Sequence, residues 1–304
     1  MGIPILEVGK LVCWGGNVTL KAPLSFVLEA GDIGVAVSQN LSSSANFLRT
    51  VAGVQTSRFN DINIGAHAVT SKVAKYLLGV VSAEPEFYEE LTVWEQLAIS
   101  AELYSVDKHY RPYAIYEALD TAQITQYKDV KIAQISDLSL RKRVSIARAL
   151  VHSPRLVVIE DLFQGSDFRN WQLITDMLSK IRNTGKAILV SVENLVHLSS
   201  LYSQLFVVGA NEVFVHGLYP QILQEIGQYN LVQLQVWDTG IDNAIISLNE
   251  SVEVFDVLQK EDDPGVLRFF FKGDDVELQK MVSALKNKGI PIVSCLIVDN
   301  FFGR

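Results

Sequence analysis

Residues 141–167 read "RKRVSIARALVHSPRLVVIEDLFQGSD", and this stretch decides the fold. Its first half places Val144, Ile146, Ala147 and Leu150 at helical spacing, which predicts a helix over Leu140–His152. A Ser-Pro pair then breaks the pattern. "RLVVIED" follows, a continuous apolar run ending in two carboxylates, Glu160 and Asp161. A run without alternation fits a strand covered on both faces, as in a parallel sheet.

The same rhythm extends outward. "NWQLITDMLSKIRNTG" is a helix ending at glycine, followed by the strands "KAILVSV" and "LFVVG". Upstream, residues 5–37 alternate apolar and polar between Gly and Pro breaks, as strands do. Gly34–Val54, "GVAVSQNLSSSANFLRTVAGV", runs from an apolar strand through small polar residues into a helix with Gly53 at its C′ position. "YLLGVV" is a short strand, and 90–128 turns helical. Strands alternating with helices predict α/β layering.

Residues 221–304 change rhythm. They read as strand, helix, strand, strand, helix, strand, the βαββαβ order of a ferredoxin-like unit. This segment carries 7 basic and 13 acidic residues, a net −6 of the chain's −8. Such an acidic balance excludes a general nucleic-acid binder, which needs a basic footprint. The chain has 304 residues, 49% hydrophobic and 20% charged, enough for two well-buried domains. Two distant cysteines, Cys13 and Cys295, make neither a disulfide framework nor a metal set. His67, His109, His152, His197 and His216 show no metal spacing and read as solvated or satisfied histidines. No apolar run reaches the roughly 20 residues of a membrane helix, and the N-terminus lacks signal-peptide character.

Several stretches in order, "LSFVLEAGDIGVAVSQN", "EPEFYEELTVWEQL", "RKRVSIARALVHSPRLVVIEDLFQGSD" and "KAILVSVENL", resemble an ATP-binding cassette (ABC) ATPase over roughly residues 3–220. The tail is similar to the appendage on ATPase subunits of ABC-2 type exporters, a group that includes gliding-motility transporters. The resemblance implies a P-loop NTPase-like α/β domain over 1–220, with a mixed sheet and a helical subdomain at about 88–150. A small α+β ferredoxin-like domain over 221–304 follows.

The departures fall on the chemistry. The family's Walker A loop, G-x-x-G-x-G-K-[ST]-[ST], cradles phosphates with backbone N–H groups, a lysine and a Mg²⁺-binding hydroxyl. Laid on this sequence, its glycines become Ser38, Leu41 and Ser43. The lysine becomes Ser44, the Mg²⁺ ligand Ala45, and Asn46 follows. Asn40 and Ser42 complete the positional equivalents of the ATP site, with Trp14 at the adenine-stacking position. Glu160 stands for the Walker B aspartate and Asp161 for the catalytic glutamate, each wrong by one methylene; the plain reading makes them the solvent-facing end of a core strand. Ala83 holds the Q-loop glutamine position and Glu193 that of the switch histidine. The LSGGQ signature becomes Ser136–Leu140 ungapped, or keeps only Leu138–Ser139. The "RKR" at 141–143 matches the family framework, with a solvated face as the plain explanation.

The resemblance therefore implies a non-catalytic pseudo-ATPase, with no functional catalytic residue, no metal site and no cofactor expected. It would sit at the cytoplasmic face of the inner membrane, docked on an ABC-2 permease through Glu84, Glu86, Phe87 and Tyr88. It would pair as a homodimer or heterodimer with another ABC ATPase through Ser139 and Asp167. The competing readings are a soluble interaction protein that has left transport, and a residual ATP/Mg²⁺-binding ATPase.

Overall fold

The computed structural model describes residues 3–14, 18–55, 61–163, 165, 168–193, 201–210, 212–218, 222, 225, 227–260 and 263–298. The chain divides into two compact units, the first running to residue 213 apart from 194–196, and the second continuing from residue 214.

The first unit is built on five parallel strands in the order β9-β3-β8-β7-β6. These are β3 (Ile33–Val37), β6 (Leu78–Val81), β7 (Leu156–Ile159), β8 (Ala187–Val192) and β9 (Gln204–Val208). Every residue of β3, β7 and β8 is buried, as their unbroken apolar runs require of strands with both faces covered. A second, antiparallel sheet orders β1 (Leu6–Trp14), β2 (Val18–Leu28), β4 (Asp61–Ile64) and β5 (His67–Ala68) as β2-β1-β4-β5. Helix α1 (Leu41–Val51) lies among these strands. The rings of Phe26, Phe47 and Phe206 meet there at 4.6–6.1 Å, locking strand, helix and strand together. Gly53, with φ +65°, ends α1 in the left-handed conformation that favours glycine.

Short α2 (Lys72–Tyr76) precedes β6. The helical region comprises α3 (Val93–Leu103), α4 (Arg111–Thr121) and α5 (Leu138–Leu150). Thr92 and Glu95 form a capping box that starts α3. Helix α5 begins two residues before the sequence pattern predicts, because Asp137 caps it by accepting from Ser139 N and Leu140 N at 2.8 and 3.2 Å. Helix α6 (Phe168–Asn183) leads back into β8.

The second unit has the strand order β12-β13-β11-β14, antiparallel throughout. Its elements are β11 (Tyr229–Val236), α7 (Ile241–Asn249), β12 (Val254–Lys260), β13 (Asp263–Lys272), α8 (Asp275–Asn287) and β14 (Ile292–Val298); β10 (Val213–Leu218) precedes them. The βαββαβ order read from the sequence is present. Val232, Leu234, Leu267 and Phe269 bury against Ala244 and Leu248 of α7 and Leu278 and Leu285 of α8.

Candidate functional site

The loop between β3 and α1 carries the Walker A equivalents, and several of its polar groups bond one another. Asn40 caps α1: its Oδ1 accepts from Ser42 N at 2.8 Å, and its carbonyl accepts from Ser43 N at 2.9 Å. Ser38 Oγ donates to the same carbonyl at 2.6 Å. Ser38, Ser43 and Ser44 are buried, Ala45 and Asn46 half-buried, and Ser42 exposed. A helix N-terminus attracts anions through its unpaired amides and positive dipole end. Here a side chain of the protein already takes part of that role. Between Ser38 and Leu48 the sequence offers no cation.

The first cation on α1 is Arg49, and it is engaged. Its Nε and Nη2 donate to Glu160 Oε1 and Oε2, both at 2.8 Å, in a bidentate fork. Ala83 N also donates to Glu160 Oε2 at 3.2 Å. Thus the Walker B equivalent, the Q-loop equivalent and the first helix meet at one carboxylate. The side chain of Glu160 is 3% exposed and that of Arg49 37%. The expectation that Glu160 ends its strand beside solvent is corrected: it is buried, and a buried carboxylate needs the cation it has found. The hydrogen bond and charge of Glu160 hold the Arg49 pKa above the ordinary value.

The solvated-face reading of "RKR" is also corrected. Lys142 and Arg143 are buried. Lys142 Nζ donates to three carbonyls, Ser82 O at 3.1 Å, Ala83 O at 3.0 Å and Glu160 O at 2.9 Å. Burial lowers the Lys142 pKa to about 8, opposed by the charges of Asp161 and Glu160. Three carbonyls match the three protons of an ammonium, so this side chain rivets α5 to the ends of β6 and β7.

Asp161 is half-buried, with φ +44°, the left-handed region that costs an aspartate energy. Its N–H donates to Ser191 Oγ at 2.8 Å. Burial raises its pKa, Lys142 offsets that, and nearby Glu193 adds to it. Glu193 itself is exposed at the end of β8. Among the described residues no cluster of His, Cys, Asp or Glu could hold a metal ion.

The docking residues fall on one segment. Glu84, Glu86 and Tyr88 are exposed. Phe87 is half-buried between two guanidinium groups, Arg141 at 5.2 Å and Arg148 at 4.8 Å from the ring centroid. Arg148 also donates to Glu86 O at 2.7 Å, and Arg141 pairs with Glu89. Helix α5 thereby holds the whole 82–89 segment.

Ser139 is buried in the first turn of α5. Gly165 adopts φ +67°, and a Cβ there would lie 2.6 Å from Leu138 Cβ, so glycine is needed where this loop crosses the start of α5. Asp167 and the side chain of Trp14 lie outside the described residues. Arg49 and Lys142 are absent from the sequence-derived site. Neither has a partner near in sequence, and the one available signal was a glutamate, Glu160, at the end of a fully buried strand.

This arrangement is that of an ABC ATPase fold. A solved ATP-binding subunit of an ABC transporter superimposes with a TM-score of 0.64 at 20% identity, covering 73% of this chain and 93% of that one. The ADP conformation of the ATP-binding cassette MJ1267 gives 0.63 at 17%, covering 74% and 95%. The sequence relatives carry the same assignment, and the chain is a homologue of ABC transporter ATP-binding proteins. The linearmycin resistance ATP-binding protein LnrL of Bacillus subtilis is 21% identical over 81% of this chain and 79% of its own length. The Nod factor export ATP-binding protein I of Rhizobium meliloti is 24% identical over 80% and 72%. No family model matches the sequence. Among the described residues no helix is long and apolar enough to cross a membrane.

Proposed function

We propose that this chain is a non-catalytic, pseudo-ATPase subunit of an ABC transporter. In this reading it docks on an ABC-2 type permease at the cytoplasmic face of the membrane and pairs with another nucleotide-binding domain. One observation carries the reading: the carboxylate at the metal position is buried in a bidentate pair with Arg49. A magnesium ion would have to displace a guanidinium that makes two 2.8 Å hydrogen bonds. The caps support it, since Asn40 takes up the Ser42 amide and Asp137 the Ser139 and Leu140 amides at the two helix starts. With Ser44 in place of lysine, no charge on the loop offsets that loss. The transport assignment rests on the relatives, whose names include linearmycin resistance and Nod factor export.

The test is calorimetry of the purified chain with ATP and Mg²⁺. The reading expects no saturable heat at millimolar ligand. A Kd below about 100 µM, roughly −5.5 kcal/mol, overturns the pseudo-ATPase assignment. Docking is tested by co-purification with a permease encoded beside this chain. Tyr88→Ala is the informative variant, because Tyr88 is 65% exposed while Phe87 also props the loop. Retention of the permease by Tyr88→Ala combined with Glu84→Lys and Glu86→Lys would remove this surface from consideration.

A further inference from the structure

The first unit holds a cavity apart from the loops described above. It has a volume of about 290 Å³ and opens where the ends of α3, α5 and α6 meet the side of α4. One wall is a stacked pair, the rings of Tyr104 and His152, with centroids 3.7 Å apart and planes 7° from parallel. His152 Nε2 lies 3.1 Å from the carbonyl of Leu78. Since a carbonyl only accepts, Nε2 carries the proton and Nδ1 keeps its lone pair. Among the described residues the buried Nδ1 has no hydrogen-bond partner. Burial lowers the His152 pKa to about 4, so the aromatic wall is uncharged near neutral pH.

Two charged side chains line the cavity, Lys186 and Glu117. Lys186 is half-buried beside β8 and donates to Ser153 Oγ at a long 3.3 Å. Glu117 is exposed on α4. Among the described residues the two form no ion pair with each other, yet Glu117 is near enough to oppose the lowering of the Lys186 pKa by burial. The three helices that end here add the negative potential of their C-termini. The cavity thus offers a partly desolvated cation, a carboxylate with three helix ends, and an apolar aromatic wall. Its volume sits at the lower limit for small-molecule sites. That is too small for a nucleoside triphosphate, whose charge the helix C-termini would also repel.

We propose that this cleft binds a small zwitterion of the free α-amino-acid class. Its carboxylate pairs with Lys186, and its ammonium sits with Glu117 and the helix C-termini. The site is independent of the nucleotide loops and stands whether or not they bind ATP.

The experiment uses the full chain in thermal-shift and calorimetric titrations with the free amino acids, each at about 10 mM. Acetate and methylamine at the same concentration serve as single-charge probes. At ten times its Kd a ligand stabilises enough to move the melting temperature measurably. The expected result is saturable binding of one or a few amino acids, with acetate and methylamine at least about tenfold weaker. Lys186→Gln should weaken that binding by roughly 10- to 100-fold, the range of a charge-assisted hydrogen bond, and Glu117→Gln, at an exposed carboxylate, by roughly 2- to 5-fold. Glu117 is exposed, so its variant should fold normally and carries the test even if Lys186→Gln does not fold. The proposal is overturned if no amino acid shifts the wild-type chain. It is overturned equally if acetate or methylamine binds as tightly as the amino acid, or if Glu117→Gln binds unchanged.

Discussion

Replacing Arg49 by alanine should destabilise the first unit substantially. The substitution removes a guanidinium that makes two 2.8 Å hydrogen bonds to Glu160, whose side chain is 3% exposed. Removing one partner of a fully buried pair typically costs about 3–5 kcal/mol. Arg49 is 37% exposed, so part of its charge is already solvated and the cost falls at or below the bottom of that range, about 2–3 kcal/mol. For a unit of roughly 200 residues this lowers Tm by roughly 5–10 °C. Without the guanidinium, Glu160 Oε1 loses its donor while Oε2 keeps the Ala83 N–H at 3.2 Å. Glu160→Gln leaves the more exposed partner behind, free to turn to water, and should cost less, about 1–2 kcal/mol. Urea unfolding followed by circular dichroism measures both variants. An Arg49→Ala chain within about 0.5 kcal/mol of wild type would show that the pair holds nothing together and that a metal ion could displace it at little cost.

Lys142→Met should destabilise by about 3 kcal/mol, since the half-buried Ser82 and Ala83 and the buried Glu160 each lose the donor to their carbonyl; denaturant titration checks it. In the wild-type chain the folded state releases the Lys142 proton near pH 8 while the unfolded chain holds it to about 10.5. Stability should thus rise with pH across that window relative to Lys142→Met. Asp161→Asn should stabilise at neutral pH: a raised folded pKa means the carboxylate loses stability as pH climbs above the ordinary 3.8. The stability-against-pH curve of that variant should be flatter there, which thermal melts at closely spaced pH values would reveal. Asn40→Ala removes the cap of α1 and should cost about 1 kcal/mol, whereas Asn40→Asp should not, by the same melts.

Much of the fold was legible because burial writes itself into composition. The unbroken apolar runs of β3, β7 and β8 could only be strands covered on both faces. Gly53 marked the place where the backbone takes a left-handed turn at the end of α1. The helix-end chemistry was half legible. Asn40 and Asp137 are ordinary N-caps, but the start of α5 is obscured because its signature-like stretch matches no single register. The ion network was hidden for a different reason. Arg49 and Glu160 are 111 residues apart, and Lys142 reaches carbonyls 59 and 60 residues away. A buried charge next to apolar neighbours looks like a surface charge until the topology brings its partner. Local patterns carry periodicity; they carry nothing about which distant backbone atoms will converge on a long side chain.

The caps and the Arg49 fork have one property that a dissolved ligand lacks. They are covalently part of the chain, so their effective concentration at the site is fixed by geometry and does not depend on supply. A loop held closed by bound nucleotide opens when the cellular pool runs down. A loop held by Asn40, and a carboxylate held by Arg49, keep their shape in a starved cell and a growing one alike. In an assembly with a nucleotide-driven partner, this chain would supply the half whose shape stays constant while the other half cycles.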